Sequence, residues 1–140
     1  MNFHAGSGRL LLALKRGEFD KVRLLGSEFE GHRYLFVQNR LTASEAGQLC
    51  QKLGGHLVTI TSARENEFLK QITPPGLSCR IGLVISGGNL HWVTGEALGK
   101  NFVQAQTDFR PSDRIVAWKD GLWLPSPQED EPMPFIIEWD

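Results

Sequence analysis

The clearest pattern in the chain is a pair of amphipathic segments near its middle. In residues 43–53, apolar side chains recur at steps of three and four, which predicts a helix with one buried face. Thr42 and Glu45 have the spacing of a capping box at its start, and Gly54-Gly55 supplies a left-handed residue at its end. The sequence therefore fixes both ends of this first predicted helix.

A second amphipathic segment follows after a short apolar strand. Ser62 and Glu65 repeat the capping-box spacing, and the apolar residues after them recur at helical steps. The segment ends at Thr73-Pro74, because proline disfavours helical geometry in the residue before it. We therefore predict a second capped helix between Ser62 and the Thr73-Pro74-Pro75 stop.

Short apolar runs bounded by turn residues predict the strands of a sheet. The predicted strands are one around Tyr34 and Phe36, the arms of two hairpins at 80–85, 90–93, 115–118 and 122–124, and a last strand at 135–139. Between the two hairpins, residues 94–114 show little periodicity and predict a long loop. Two helices with a hairpin-rich sheet make an α+β domain.

Residues 1–27 precede this pattern. Apolar residues in 10–14 and 19–25 predict two short helices joined at Gly17, with a β-hairpin at the same place as the alternative. A lone helical hairpin cannot bury its own face, so we expect it to pack on the rest of the chain or to be the edge of a longer parent protein. We accordingly divide the chain into an N-terminal extension, residues 1–27, and one domain, residues 28–140.

Length and charge narrow the classes of partner. The chain has 140 residues, enough for one domain with a core, and a formal net charge of -1 from 15 basic and 16 acidic residues. Nucleic acid calls for clustered Lys and Arg, but acidic residues interrupt the one dense basic group, residues 15–23. The longest early apolar run, Leu10 to Leu14, is far short of the ~20 residues of a membrane span. We expect no nucleic acid partner and no membrane span, and the absence of a signal-peptide pattern favours the cytoplasm.

Seven short motifs occur in order along the last four-fifths of the chain. They are Gly31-His32-Arg33-Tyr34-Leu35, Glu45-Ala46 to Cys50, Gly54-Gly55-His56-Leu57-Val58-Thr59-Ile60, Ile81-Gly82-Leu83, Trp92-Val93-Thr94-Gly95-Glu96, Asp120-Gly121-Leu122-Trp123 and Phe135-Ile136-Ile137-Glu138-Trp139. This ordered set resembles the C-type lectin-like domain. The resemblance implies an α+β fold with two helices packed on a small, mainly antiparallel sheet and a long loop region.

The resemblance also implies where a calcium site belongs. In calcium-dependent members, oxygen ligands come from a long-loop triplet and from a Trp-Asn-Asp triplet on a late strand, since calcium takes about six to eight oxygens. The matching positions here are Arg110-Pro111-Ser112 and Trp123-Leu124-Pro125. A guanidinium cannot bind calcium, and leucine and proline side chains carry no oxygen. We therefore expect no metal and no other cofactor.

Two cysteines, Cys50 and Cys79, leave a disulfide possible. The resemblance implies that Cys50 is the first half of the core disulfide of the family, but the partner position on the last strand is Ile137. A free buried thiol fits a reducing compartment. The resemblance is thus to a compact, disulfide-poor domain of bacterial or intracellular style.

The resemblance places the binding surface on the long loop and the adjoining strands. On that surface we predict Arg110, Ser112, Asp113, Arg114 and Trp118 as ligand-binding residues. The guanidinium of Arg110 would pair with a carboxylate or phosphate, and Trp118 would offer an aromatic face. Alternation along its strand makes burial of Trp118 an equal alternative.

Motifs for catalysis and for zinc are missing from the sequence. His4, His32, His56 and His91 show no close or cysteine-partnered spacing, so zinc is not predicted. The sequence has no nucleophile elbow, no phosphate-binding loop and no Cys-His motif. A formylglycine-generating relative on the same broad fold would need a catalytic cysteine pair that the chain lacks. We expect a binding module rather than an enzyme.

The function hypothesis from the sequence is a calcium-independent recognition module that binds a protein partner through its long-loop face. Carbohydrate binding through a rearranged loop is one alternative. An accessory structural domain within a larger multidomain protein is another. The sequence makes no prediction of the oligomeric state.

Overall fold

A computed structural model describes residues 5–86, 89–95, 110–126 and 131–140 of the chain. Within these ranges the elements are, in order, α1 (Ala5–Lys15), α2 (Phe19–Arg23), β1 (Ser27–Phe29), β2 (His32–Leu41), α3 (Ala43–Lys52), β3 (His56–Leu57), α4 (Ala63–Ile72), β4 (Cys79–Ser86), β5 (Asn89–Trp92), β6 (Ile115–Lys119), β7 (Leu122–Ser126) and β8 (Met133–Trp139). The predicted α+β class is confirmed. Most of the predicted long loop, residues 96–109, lies outside the described residues.

The strands form one sheet in the order β1-β2-β8-β4-β6-β7, with β3 paired to β8 and β5 paired to β4. Of these pairs only β4 with β8 is parallel, so the sheet is mainly antiparallel as predicted. Strand β8 has partners on both edges, and every one of its residues is buried. The last strand of the chain is therefore the centre of the fold.

Helix α3 begins as the sequence predicts. The Thr42 hydroxyl accepts the Glu45 backbone N–H at 3.3 Å, and the Glu45 carboxylate accepts the Thr42 N–H at 3.0 Å. That backbone N–H holds the pKa of Glu45 below its ordinary value. Gly54 has φ +80° after the helix, in the left-handed region that glycine adopts without strain.

Helix α4 begins differently from the prediction. Ser62 accepts the Glu65 backbone N–H at 3.1 Å, but the Glu65 carboxylate does not return to Ser62. It accepts the Thr61 N–H at 2.8 Å and the Tyr34 hydroxyl at 2.5 Å. The predicted capping box is thus only half formed, because a tyrosine from β2 competes for the carboxylate.

Two large apolar clusters fill the fold. One contains residues of α4 and of strands β2, β4, β5, β6, β7 and β8, with Leu69, Trp92 and Ile136 among its members. The other joins α1, α2 and α3 to β2, β3 and β8.

The N-terminal residues form the predicted helical hairpin, with Gly17 at φ +68° between α1 and α2. Leu10, Ala13 and Val22 are buried in the same cluster as α3. The hairpin therefore packs on the sheet, and the alternative β-hairpin is wrong. The boundary after residue 27 stays a prediction. No helix in the described ranges is long and apolar enough to cross a bilayer.

Both cysteines are free thiols inside the fold. Cys50 belongs to the α3 cluster together with Ile137, whereas Cys79 belongs to the α4 cluster on the other face of the sheet. Burial raises the pKa of each thiol to about 12. The two side chains therefore do not form a disulfide with each other.

Candidate functional site

The β6–β7 hairpin is one part of the predicted binding surface, and the described residues 110–114 just before it are another. Its turn has left-handed backbone at Asp120, φ +53°, and Gly121, φ +83°, which is the pattern of a tight two-residue turn of type I′. The turn pairs Lys119 directly with Leu122 and fixes the register of the whole hairpin.

This register gives the hairpin two faces. Trp118 and Trp123 are opposite each other on the face that joins the α4 cluster. Ala117 and Leu124 are opposite each other on the outer face, where Leu124 is 39% exposed. Because side chains alternate along a strand, packing the two tryptophans into the core puts Ala117 and Leu124 on the outer face.

A buried amide on α4 holds the inner face. Asn66 Oδ1 accepts the indole N–H of Trp118 at 2.8 Å and that of Trp123 at 3.2 Å. Its Nδ2 donates to the Gly121 carbonyl at 3.0 Å. One side chain thus ties both strands and the turn of the hairpin to the helix.

A groove of about 370 Å³ lies against the outer face of the hairpin. Its lining comprises Arg40, Leu77, Ser78, Ala117, Leu124, Pro125, Ser126, Glu131 and Met133. Ala117 and Met133 are buried, whereas Arg40 and Glu131 are exposed. We call this the hairpin groove. It combines apolar side chains with one basic, one acidic and two hydroxyl side chains.

Buried Arg80 fixes one border of the hairpin groove. It pairs with Ala117 across β4 and β6, and its guanidinium donates to the Glu131 carbonyl at 2.5 Å. Because a hydrogen bond from a charged donor is stronger than a neutral one, it holds the segment that enters β8 against the sheet.

Four of the five predicted ligand-binding residues lie in one turn before β6. Asp113 is buried and its carboxylate accepts the Arg110 backbone N–H at 2.7 Å. The Arg114 guanidinium donates to the carbonyls of Pro111 at 2.9 Å and Asp113 at 3.0 Å. Asp113 and Arg114 therefore shape the turn, while Arg110 and Ser112 are exposed on it.

This turn adjoins the hairpin groove. The Arg114 backbone N–H donates to the Ser126 carbonyl at 2.8 Å, and Ser126 lines the groove. The structure thus brings the Arg110 to Arg114 turn to the open end of the hairpin.

Trp118 does not belong with these four residues. It is 0% exposed and its indole N–H is held by Asn66, so it presents no face to a ligand. The expectation of an aromatic platform is corrected here. Strand β6 is buried on both faces, which is why alternation along it did not indicate an exposed side.

The side chains at the two positions where the resemblance puts calcium ligands do not fit that ion. Arg110-Pro111-Ser112 offers a single hydroxyl oxygen, and Trp123-Leu124-Pro125 offers no side-chain oxygen. Calcium needs about six to eight oxygen ligands, mostly carboxylate or carbonyl. A cationic guanidinium also repels it.

A separate polar pocket of about 100 Å³ lies at the other end of the sheet. Glu138 is 1% exposed there, and its Oε1 accepts the Thr59 backbone N–H at 3.0 Å. Its Oε2 lies 2.7 Å from Nδ1 of His32. Burial raises the pKa of Glu138, and the nearby Glu65 carboxylate adds to this effect despite the Thr59 hydrogen bond.

The C-terminal residue of the chain completes this polar cluster. Asp140 Oδ1 lies 3.2 Å from His32 Nδ1, and its Oδ2 lies 3.0 Å from Nε2 of His56. Burial alone lowers the pKa of His32, but the carboxylates of Glu138 and Asp140 together raise it above its ordinary value. The chain thus has a second concentration of ionisable groups, away from the hairpin groove.

Comparison with known proteins identifies the family. The model of the lectin C-type domain matches residues 39–127 of this chain. The chain belongs to the C-type lectin domain family. It is 32% identical over 106 residues to asialoglycoprotein receptor 2 of Rattus norvegicus, a match that covers 69% of this chain and 35% of that protein. It is 37% identical over 84 residues to asialoglycoprotein receptor 1 of Rattus norvegicus, covering 58% of this chain and 29% of the relative.

Solved structures agree with this assignment. The carbohydrate-recognition domain of the mouse scavenger receptor C-type lectin matches with a TM-score of 0.71 and 26% identity, over 82% of this chain and 93% of that one. A calcium-independent type II antifreeze protein matches with a TM-score of 0.70 and 20% identity, over 81% and 90%, which shows the shared fold alone. The chain spans about a third of the length of the receptors it matches in sequence. These relatives are named as receptors and not as enzymes.

Sequence reasoning missed the hairpin groove. Its walls come from segments far apart in the chain, such as Leu77, Leu124 and Met133. One signal was present: Leu122, Trp123 and Leu124 are apolar on both faces of a short strand, which indicates a second apolar surface beyond the core.

Proposed function

We propose that this domain is a calcium-independent recognition module that binds a protein partner at the hairpin groove. The observation that carries the proposal is Leu124, an exposed aliphatic side chain where the family resemblance puts an oxygen ligand. Leu124 cannot hold a metal, but it walls a groove that also contains Ala117 and Met133. In this proposal, apolar contact area takes the place of metal ligands on this surface.

The composition of the hairpin groove supports a polypeptide ligand. Apolar side chains at the centre of a pocket, with charged and hydroxyl groups around it, are typical of sites that take an anchoring side chain of a partner. The volume of about 370 Å³ accommodates one large apolar side chain and neighbouring main chain. Arg40 and Glu131 then offer one donor group and one acceptor group to the partner backbone.

The neighbouring turn supports a preference for an acidic residue beside that anchor. Arg110 is exposed on the turn that adjoins Ser126 at the end of the groove. An exposed guanidinium pairs well with a carboxylate, although such a pair at the rim contributes little net affinity. We therefore assign Arg110 a role in partner selection and in the rate of association.

Calcium-independent glycan binding is the second candidate. It is favoured by the relatives, whose names describe asialoglycoprotein receptors and a carbohydrate-recognition domain. In this case the hydroxyl and charged side chains of the groove, rather than a metal ion, would bind sugar hydroxyls.

A parallel screen of a displayed random-peptide library and a glycan array tests the proposal, each with calcium and with chelator. The matched variants are Leu124→Asp, inside the groove, and Leu122→Asp, an exposed leucine on the same strand outside its lining. We expect peptides with a recurring apolar anchor to bind equally with and without calcium. Leu124→Asp should lower their affinity at least tenfold, whereas Leu122→Asp should leave it unchanged.

Other outcomes of this screen contradict the proposal. Glycan binding that survives chelator, without any peptide selected, would favour the second candidate. Binding of either ligand class only in calcium would refute calcium independence. Equal losses in the two leucine variants would show that the groove is not the site.

A further inference from the structure

We propose that His32, Glu138 and Asp140 bind a zinc ion, with His56 orienting the Asp140 carboxylate. This inference is independent of the hairpin groove, because the cluster lies at the other end of the sheet. The three ligand atoms, one from each residue, all lie within 4.8 Å of one another.

Strand pairing explains why residues far apart in the sequence converge here. Glu138 on β8 is paired with Tyr34 on β2 at one edge and with His56 on β3 at the other. His32 is two residues before Tyr34 and Asp140 is two residues after Glu138, so the period of two puts them on the same face. The cluster is therefore a consequence of sheet register and not of local sequence spacing.

The three side chains are close enough to share a small ion after a modest adjustment. His32 Nδ1 lies 2.7 Å from Glu138 Oε2 and 3.2 Å from Asp140 Oδ1. Zinc bonds of about 2.0 to 2.2 Å in a tetrahedron hold neighbouring ligand atoms roughly 3.4 Å apart. Zinc would therefore replace the hydrogen bond between His32 and Glu138, and these two ligand atoms would move apart by roughly 0.7 Å. The fourth position is open to water or a ligand, since His32 and Asp140 are partly exposed.

The contacts of His56 assign it the role of orienting the Asp140 carboxylate. His56 Nδ1 lies 2.7 Å from the Leu57 carbonyl, which only accepts, so Nδ1 carries a proton that it donates. Its Nε2 lies 3.0 Å from Asp140 Oδ2. These two contacts fix the His56 ring beside the Asp140 carboxylate, and metal-binding carboxylates are commonly held by such an outer contact.

Charge and ligand type select the ion. The carboxylates of Glu138, Asp140 and Glu65 outnumber the two imidazoles of His32 and His56 around the pocket, so the site attracts a cation. The Glu65 carboxylate is already held by a tyrosine hydroxyl and a backbone N–H. What is left is one imidazole with two carboxylates, a set that suits zinc better than calcium, which binds oxygen ligands.

Titration of the full chain with zinc alone tests the inference, after treatment with chelator and its removal. We expect one equivalent of zinc to bind and to raise the melting temperature, with calcium and magnesium giving no comparable rise at the same concentration. His32→Gln and Asp140→Asn should each weaken zinc binding at least tenfold. His56→Gln should weaken it by about 10- to 100-fold, as is usual for the residue that orients a ligand.

His91→Gln is the matched control, since His91 is an exposed histidine outside the cluster. It should leave zinc affinity unchanged. Cobalt in place of zinc should give a visible spectrum without a thiolate charge-transfer band, because Cys50 and Cys79 take no part. Circular dichroism checks that each variant is folded, and the exposed Asp140 provides a test should His32→Gln fail to fold.

Three results would overturn the inference. One is the absence of saturable zinc binding to the folded chain. Another is zinc affinity that is unchanged in both Asp140→Asn and His32→Gln. The third is a thiolate band in the cobalt spectrum, which would place the metal on the cysteines.

Discussion

Replacing Asn66 by alanine tests most directly how the β6–β7 hairpin is held to helix α4. The amide makes three hydrogen bonds, to the indoles of Trp118 and Trp123 and to the Gly121 carbonyl. Each contributes about 1 kcal/mol net, so the sum is about 3 kcal/mol, within a range of about 1.5 to 4.5 kcal/mol. Because Trp118 is 0% exposed, the variant leaves its indole N–H buried without this acceptor. The cost of that buried donor puts the expected loss of stability at the upper end of the range.

We therefore expect Asn66→Ala to lower the free energy of unfolding by about 3 kcal/mol, a large part of the 5 to 15 kcal/mol typical of a domain. Urea denaturation followed by far-UV circular dichroism measures it, since tryptophan fluorescence changes with the contact itself. Gln71→Ala is the control, an exposed residue on the same helix that should shift stability by less than about 0.5 kcal/mol.

The same variant should also loosen the hairpin groove. Asn66 does not line the groove, so weaker peptide binding by folded Asn66→Ala would reflect the loss of support for Leu124. A loss of stability below about 1 kcal/mol, or one equal to that of Gln71→Ala, would refute the account of this contact.

The remaining predictions concern packing, thiol reactivity and pH. Gly82→Ala should lower the free energy of unfolding by about 1 to 3 kcal/mol, because the added Cβ would lie 2.7 Å from a β3 carbonyl oxygen. Gly47→Ala, where the added Cβ meets no atom within 4 Å, should instead stabilise α3 by about 0.5 to 1 kcal/mol, and equal effects of the two variants in urea denaturation would contradict this. Cys50 and Cys79 should not react with a thiol reagent in the native chain at pH 8, because burial raises the pKa of each thiol to about 12. Both should react once the chain is unfolded in urea, and rapid labelling of the native chain would contradict their burial. The fold raises the pKa of His32, so in zinc-free buffer its contribution to stability should be complete below about pH 6.5 and should be lost as the pH rises through the raised pKa of the folded state. If the urea midpoint of His32→Gln depended on pH as strongly as that of the unchanged chain, the prediction would be wrong.

Local signals in the sequence predicted those elements whose contacts are local. The Thr42 and Glu45 capping box needs only residues three apart, and it is confirmed atom by atom. At Ser62 and Glu65 the same spacing gives a different result, since the Glu65 carboxylate binds Tyr34 from 31 residues away. A spacing rule cannot represent such a competitor.

Local sequence patterns predict the candidate sites less well than the helix ends, because these sites are built from distant segments. The resemblance places Arg110 to Arg114 on the binding surface, at the end of the predicted long loop, and the structure sets these residues in a turn beside the hairpin. For Trp118 the sequence leaves exposure and burial as equal alternatives, because alternation cannot tell which strand is covered on both faces. The clustering of His32 with His56 arises from strand register across β2, β8 and β3, which the spacing of histidines does not reveal.

The central claim, recognition without calcium, is tested most directly by a thermal-melt titration of the zinc-free chain with calcium against chelator. A ligand that binds only the native state must raise the melting temperature. We predict no saturable rise, because Arg110, Leu124 and Pro125 supply no ligand oxygen from their side chains. A saturable rise that persists in Asp140→Asn, which removes one ligand of the proposed zinc site, would contradict the claim and restore calcium-dependent sugar binding as the leading function.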